Sequence, residues 1–440
     1  MMSDMMPAMH SLNHALRVPL AAEIHSRPFL SLDGPTVLSH LAILPGPAAP
    51  SPEALLASLC LHFGVAAPAE GARHAYLELG GLRLKWERHT EFCSFSFARP
   101  LRAGETLEAA FAASPRQSVP GAWLADLAGS LLVAADVVLV QDGLARPAAL
   151  AAIQPVFGAR MLVGAQVMQG AELWTDFAIH ADGVSRFVLR DVGMRELQAG
   201  RLVQRVLEID TYRMMALLGL PAAHSCGAAL KAMEQELAEL TSAMVAAQDG
   251  GADEDVGQAM LEQITRLAAH MEKLALAHAY RFSAAAAYFR LVKARIEELR
   301  EQRIEGVPTV GEFMERRLAP AMDTCCATAA RLAAVGQRID RTNDLLRTRV
   351  NVMQERQNRR ILQSLNARAA QQLYLQQAVE GLSVAAITYY VVGVVSYLGK
   401  ALKAAGVGVN VELLTGASVP LAAGLVWLSL RRLHQRMPAH

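Results

Sequence analysis

The sequence predicts an α+β N-terminal domain with a mostly antiparallel sheet, a bundle and stalk of long helices, and a C-terminal transmembrane hairpin of two helices. Three observations support this fold class. Strand-like segments occupy the first part of the chain, a helical apolar repeat runs through residues 321–398, and two apolar runs lie near the C-terminal end. The predicted domains are residues 1–192, 193–377 and 378–432.

Short segments rich in β-branched and aromatic residues predict the sheet. They cover residues 36–44, 74–89, 91–98, 131–140, 161–168, 173–180 and 185–190. Residues 51–64 and 121–129 resemble short helices beside it. Residues 181–183, with the sequence ADG, are a turn signal and predict a hairpin. Hairpins grouped with occasional helices are typical of an α+β domain.

Long helices are predicted for residues 222–246, 256–303 and 321–398. The polar loop 249–255 separates the first two and lacks the spacing of a calcium-binding EF-hand. Residues 321–398 contain no proline, and their apolar residues recur every three or four positions. These are Leu332, Val335, Ile339, Leu346, Val350, Met353, Ile361 and Leu365. Such a stripe, close to a coiled-coil seam, predicts a stalk that continues into a membrane span.

Two apolar runs have the length and composition of membrane spans. Residues 382–398 carry no charge, and extension to residue 378 gives about 20 residues, enough to cross a bilayer. The second run, residues 413–430, contains Gly416, Pro420 and Gly424, which membrane helices tolerate. The chain is 53% hydrophobic, with a mean hydropathy of +0.23. The alternative interpretation is a buried helical hairpin.

Basic residues lie outside the two runs. Those before the first are Arg347, Arg349, Arg356, Arg359, Arg360 and Arg368, and those after the second are Arg431, Arg432 and Arg436. The connection, residues 399–412, carries Lys400 and Lys403. Under the positive-inside rule, both termini lie in the cytoplasm and the chain is anchored in the cytoplasmic (inner) membrane. The N-terminal residues lack the pattern of a cleavable signal peptide.

Composition narrows the class of partner. With 42 basic and 41 acidic residues, the formal net charge is +1, which gives no reason to expect nucleic acid. The five cysteines are Cys60, Cys93, Cys226, Cys325 and Cys326. Their number is odd and their spacing fits no zinc template, so reduced thiols are expected.

Two segments supply candidate metal ligands. The residues are Glu87, His89 and Glu91 in the first, and Asp176, His180 and Asp182 in the second. On a strand, the first three would share one face. Two hairpins that present such groups together would suit a divalent metal. The alternative is a solvated sheet face with cross-strand charge pairs, and no other cofactor is predicted.

No catalytic residue is predicted, because the Walker, GxGxxG, GxSxG and HExxH motifs are all missing from the sequence. His25 and Arg27 precede Pro28 and fit either a ligand clamp or a simple turn.

The first apolar run carries hydroxyl groups at Ser383, Thr388, Tyr389 and Ser396. Tyr389 and Ser396 are seven positions apart and share a helix face. Such hydroxyls line a pore, contact a neighbouring helix, or bond to the backbone one turn earlier.

Several blocks of the chain resemble one bacterial family of predicted membrane-anchored proteins, the domain-of-unknown-function family 3422. The blocks are AAEIHSRPF, WERHTEF, LWTDFAIHADGVSRF, RLVQRVLEIDTYRMMALLGLP and LQQAVEGLSVAAITYYVVGVVSYLGKA. The resemblance extends from about His14 to about Arg432. It implies an uncharacterised membrane protein and brings no activity with it.

The predicted layout is also similar to that of CorA-type magnesium channels, which are pentamers whose first span lines the pore. The Gly-Met-Asn signature of those channels is missing, and residues 396–400 read SYLGK instead. Lys400 at a pore mouth would repel cations, which argues against magnesium selectivity.

The sequence therefore favours a membrane-anchored protein with a large cytosolic part that serves as an anchor, scaffold or sensor. Its expected partners are the lipid bilayer and further copies of the chain, joined through the stalk and spans. A CorA-like oligomeric ion channel is the alternative, and an enzyme in the α+β domain has the least support.

Overall fold

The computed structural model describes residues 13–18, 20–21, 29–46, 49–195, 197–249, 254–406, 408 and 410–435. The predicted clamp residues His25 and Arg27 and part of the acidic loop, residues 250–253, lie outside these ranges. The described part of the chain divides into two compact units. The first falls within Met1–Ala243 and Ile264–Arg341, and the second falls within Met244–Gln263 and Thr342–His440. The three predicted domains rest on composition and stay predictions.

The first unit is built on a nine-stranded sheet. Its strands are β1 Thr36–Ile43, β2 His74–Leu79, β3 Leu82–Arg88, β4 Cys93–Pro100, β5 Leu131–Gln141, β6 Val163–Val167, β7 Ala171–Thr175, β8 Ser185–Asp191 and β9 Gln302–Arg303. The strand order is β2-β3-β4-β1-β5-β8-β7-β6-β9. Among these strands, β5 and β8 pair in parallel and the other neighbours pair antiparallel. The α+β region is confirmed, and its sheet is mixed.

Helices flank the sheet and then dominate the rest of the described chain. They are α1 Pro52–Phe63, α2 Leu107–Ala112, α3 Gly121–Ala125, α4 Arg146–Phe157, α5 Gln198–Leu217, α6 Gly219–Asp249, α7 Glu254–Leu299, α8 Val310–Arg317, α9 Ala319–Ala404 and α10 Val411–Gln435. The predicted short helices correspond to α1 and α3, and the predicted long ones correspond to α6, α7 and α9. Helix α9 runs without interruption through the predicted stalk and first apolar run.

The predicted strand 74–89 is two strands in the structure. Gly80 and Gly81 have φ angles of +57° and +93°, which side-chain-bearing residues rarely adopt. The chain therefore reverses at this pair, and β2 runs antiparallel to β3.

The end of β3 and the loop that follows it separate Glu87 from His89 and Glu91. Strand β3 ends at Arg88, and the His89 N–H donates to the Phe92 carbonyl oxygen at 2.8 Å, which closes the turn into β4. Glu87 lies on the strand, whereas His89 and Glu91 lie in the loop. The expectation that these three residues share one strand face is therefore wrong.

One face of β1, β3 and β4 forms an apolar core beneath α1 and α3. Trp86, Phe95 and Phe97 are at most 1% exposed. Trp123 of α3 meets Phe95 edge-on, with ring centroids 5.0 Å apart. Because strand side chains alternate, the residues between these positions point to the opposite face.

The apolar stripe of α9 is buried only in its first part. The residues from Leu332 to Val350 in this stripe are at most 6% exposed. Ile361 and Leu365, which continue the stripe, are 49% and 52% exposed. A coiled coil through the later part of the stripe stays a prediction.

Candidate functional site

The second face of β1, β3 and β4 carries polar side chains and is covered by α5. The strand register places His40 opposite Ser96. It also places Lys85 opposite Ser96, and Glu87 opposite Ser94. Apart from Glu87, these residues are at most 6% exposed. Because burial of polar groups is costly without compensating contacts, this face is the strongest candidate site in the described chain.

His40 connects the sheet to α5. Its Nδ1 lies 2.8 Å from the Ser96 Oγ, and its Nε2 lies 3.1 Å from the Thr211 Oγ1. Burial lowers the pKa of His40 to about 3, with smaller contributions from the charges of Lys85 and His89. The ring is therefore neutral at physiological pH, with one nitrogen donating and the other accepting a hydrogen bond.

The contact between Ser96 and His40 has the length expected of a nucleophile and its base. A histidine with a pKa of about 3 is, however, a poor proton acceptor near neutral pH. Its second nitrogen contacts the Thr211 hydroxyl rather than a carboxylate that would stabilise a protonated ring. This geometry favours a structural role for His40 over a role as general base.

Lys85 and Glu87 form a salt bridge inside the site. The Lys85 Nζ lies 3.0 Å from the Glu87 Oε2, and the two side chains are 6% and 14% exposed. On α5, the Gln204 Oε1 lies 3.5 Å from Lys85 Nζ, and the Gln204 Nε2 donates to Glu208 at 2.7 Å. A buried ion pair contributes little net stability, so stability alone does not account for Lys85 and Glu87 in this place. Because the pair lies beside a cavity, we assign it a role in binding.

Aromatic and ionic contacts close the side of the site that faces α7. His89 stacks on Phe92, with ring centroids 4.1 Å apart. Two ion pairs join the β3–β4 loop and α5 to arginines of α7. The pairs are Glu91 with Arg281, and Glu208 with Arg295. These contacts hold the loop, α5 and α7 together around the polar face.

A partly enclosed cavity of about 40 Å³ lies between the polar face and α5. This volume accommodates roughly three water molecules. Leu30, Val203 and Leu207 supply apolar walls. A Cβ atom at Gly200 would lie 2.1 Å from the Leu30 carbonyl oxygen, so the glycine allows α5 to approach this closely.

The second set of predicted metal ligands lies between β7 and β8, where it forms ion pairs. The His180 Nε2 lies 3.2 Å from the Asp176 Oδ2, and Asp176 also pairs with Arg160. Asp182 pairs with Arg116 at 2.8 Å. These carboxylates therefore already have cationic partners.

The structure does not bring the two sets of predicted metal ligands together. Strands β3 and β8 are four positions apart in the sheet, which corresponds to about 19 Å. Within the described ranges, no group of three or more His, Cys, Asp and Glu residues could hold a metal ion. The metal site stays a prediction.

Helices α9 and α10 are the second notable feature. Both are long and apolar enough to cross a membrane, by length and composition alone. In their most apolar 18-residue stretches, 0% of the α9 residues and 6% of the α10 residues are buried. The two helices meet at Gly399, where a Cβ atom would lie 3.3 Å from Val411 and 3.4 Å from Leu414.

The hydroxyl groups of the first apolar run bond partly to their own helix. The Ser383 and Thr388 hydroxyls donate to backbone carbonyls four residues earlier, at 2.8 and 2.7 Å. Tyr389 is 78% exposed, and Ser396 is partly buried. Two of the four predicted pore- or interface-lining residues thus have backbone partners.

Sequence reasoning identified Glu87 and His89 but missed His40, Lys85 and Ser96. The sequence pattern around Lys85 and Ser96 is visible in LRLKWER and CSFSFA, where polar residues alternate with apolar ones. That pattern predicts a solvated sheet face. It does not reveal that α5, more than 100 positions later, covers this face.

The fold and the site define a sheet-based protein with a small polar cavity, long helices, and apolar stretches of α9 and α10 that the rest of the described chain leaves exposed. The chain belongs to the family described as "Protein of unknown function (DUF3422)", whose model matches residues 12–437. The resemblance of the sequence blocks to this family is thereby confirmed. No curated protein and no solved structure matches the chain.

Proposed function

We propose that the chain is a membrane-anchored protein whose anchor is the hairpin of α10 and the end of α9. This proposal rests on the exposure of the two apolar helices. In their most apolar stretches, 0% of the α9 residues and 6% of the α10 residues are buried against other described residues. Core helices of soluble proteins bury such surface, because exposure to water costs about 25 cal/mol per Å² of apolar area. A bilayer would remove this cost.

The flanking residues favour an orientation with both termini in the cytoplasm. Arginines flank the outer ends of the two apolar runs, and the short connection carries two lysines. Near that connection, the Lys400 Nζ lies 5.7 Å from the ring centre of Tyr397. An aromatic ring and an ammonium group at this position suit a membrane–water interface. The proposed location is the cytoplasmic membrane.

Self-association through α9 is part of the same proposal. Between residues 351 and 380, the apolar side chains Ile361 and Leu365 continue the α9 stripe. They are 49% and 52% exposed, and their spacing of four positions places them on one helix face. Copies anchored in one membrane would present this stretch in parallel, at a high effective concentration. A second copy of the chain is therefore the proposed occupant of this surface, which fits an anchoring or scaffolding role.

Thiol labelling in spheroplasts tests the topology. Cys326 is exposed, and the other four cysteines are buried. Gly408, an exposed residue between α9 and α10, is replaced in the variant Gly408→Cys. A membrane-impermeant maleimide should label the new thiol on intact spheroplasts, and Cys326 only after lysis. Labelling of Cys326 without lysis, or recovery of the protein in the soluble fraction, would overturn the proposal.

The oligomeric ion pathway is less well supported, because Ser383 and Thr388 direct their hydroxyls to their own backbone. Ion flux into liposomes that carry the protein, with a loss of flux in Thr388→Leu, would favour the channel instead.

A further inference from the structure

The cavity beneath α5 contains a lysine with hydrogen-bonding capacity to spare. A lysine ammonium group has three N–H donors. Within the described chain, the acceptors near Lys85 Nζ are Glu87 at 3.0 Å and Gln204 at 3.5 Å. The second distance is at the limit for a hydrogen bond. At least one buried donor is therefore available to a ligand.

Acceptors lie directly beside this donor. Glu87 uses its Oε2 for Lys85, and a carboxylate has further lone pairs that accept hydrogen bonds. Ser94 faces Glu87 across the strand pair and lines the same cavity, so a hydroxyl that both donates and accepts is within reach. A donor and an acceptor thus stand next to each other on one wall.

The charges around the cavity cancel. Lys85 is paired with Glu87, and Glu208 is paired with Arg295. Among the described residues, no charged side chain of the cavity is left without an opposite charge to pair with an ionic ligand. Such a ligand would therefore lose its hydration without gaining a partner of opposite charge. A net-neutral head group that accepts from Lys85 and donates to Glu87 avoids this cost.

We propose that this cavity is a binding site for a small amphipathic ligand with a primary amide head. The amide oxygen accepts a hydrogen bond from Lys85, and the amide NH₂ donates to Glu87. The cavity volume of about 40 Å³ fits the head group of such a molecule. A short alkyl part then lies along the apolar walls formed by Leu30, Val203 and Leu207. The site lies within the sheet unit, and its binding function does not depend on the proposed membrane anchor.

Three probes of equal chain length separate the relevant chemistries: butanamide, butanoate and butylammonium. Their binding to the full-length protein in lipid nanodiscs is measured by ligand-observed NMR, with empty nanodiscs as a blank. Butanamide should bind with a Kd on the order of 1 mM, about tenfold more tightly than either ion.

The double variant Lys85→Met/Glu87→Leu replaces the ion pair with apolar residues of similar volume, an exchange that buried pairs often tolerate. It should lose the preference for butanamide over the two ions. The variant Lys293→Met removes an exposed lysine outside the cavity and should bind as the parent does.

Tighter binding of butanoate or butylammonium than of butanamide would overturn the amide assignment. Equal binding of all three probes to the parent and the double variant, or no binding above the blank, would overturn the site itself. The comparison among probes uses the unaltered protein and therefore does not depend on the folding of any variant.

Discussion

His40 links the acid stability of the protein to the contact between the sheet and α5. Its pKa is lowered to about 3 by burial and then by the charges of Lys85 and His89. In an unfolded chain, histidine has a pKa of about 6.5. Between these values the unfolded chain binds more protons than the folded protein, so stability falls as the pH drops through this window.

We expect His40→Gln to weaken this pH dependence. For the parent, the free energy of unfolding should fall by about 2 kcal/mol from pH 7.5 to pH 5 through His40 alone. The variant lacks this contribution. At pH 7.5 it should be less stable by about 1–3 kcal/mol, because Ser96 and Thr211 lose part of their hydrogen bonding. Urea unfolding followed by the fluorescence of the buried tryptophans measures both effects.

An exposed histidine provides the matched control. His62, in the last turn of α1, is exposed, and His62→Gln should keep the pH dependence of the parent. The other titrating groups are common to all three proteins, so their contributions cancel in the comparison. If His40→Gln and the parent show equal pH dependence, the assignment of a low pKa to His40 is wrong.

At the scale of elements, local patterns predicted segments but not their partners. Strands β1 and β8 lie within one or two residues of their predicted bounds, because alternation and composition are local signals. The parallel pairing of β5 with β8 is not local, since α4, β6 and β7 intervene. Likewise, His40 and Thr211 are 171 positions apart, and neither segment specifies the other. The candidate site depends on such distant contacts, so only two of the residues that line its cavity, Glu87 and His89, were predicted.

Helix α5 lies very close to the chain at Leu30. The variant Gly200→Ala therefore tests how tightly α5 packs against this segment. The added Cβ atom would lie 2.1 Å from a backbone oxygen and 2.8 Å from the Phe29 ring. We expect a loss of about 2–4 kcal/mol in the free energy of unfolding, because the backbone must move. Urea titration provides the measurement.

Gly227→Ala in α6 is the control for this substitution. Apart from its chain neighbours and the adjacent backbone of α6, no described atom lies within 4 Å of the added Cβ position, so the variant should gain up to about 1 kcal/mol through helix propensity. Equal stability of the two variants would contradict the packing assigned to α5.

At the scale of the whole molecule, the apolar excess of the sequence separates into three parts. One part forms the buried core of the sheet unit, with residues such as Trp86 and Phe95. Another lies on the uncovered hairpin of α9 and α10. The last is the exposed continuation of the α9 stripe, at residues 351–380. Composition gives only the total apolar content, and the distribution of burial is what distinguishes a buried core from two exposed apolar stretches.

The exposed continuation of α9 predicts that the detergent-solubilised protein is larger than its monomer mass of 47.4 kDa. We expect the double variant Ile361→Glu/Leu365→Glu to shift it towards the monomer, because parallel copies would place like charges side by side in an apolar contact. Gln363→Glu adds a negative charge at an exposed position of the same helix turn and should leave the mass unchanged. Light scattering with correction for bound detergent measures the protein mass. A monomeric parent, or an oligomer that resists the double variant, would show that α9 does not join copies through this stretch and that any scaffold role requires a different surface.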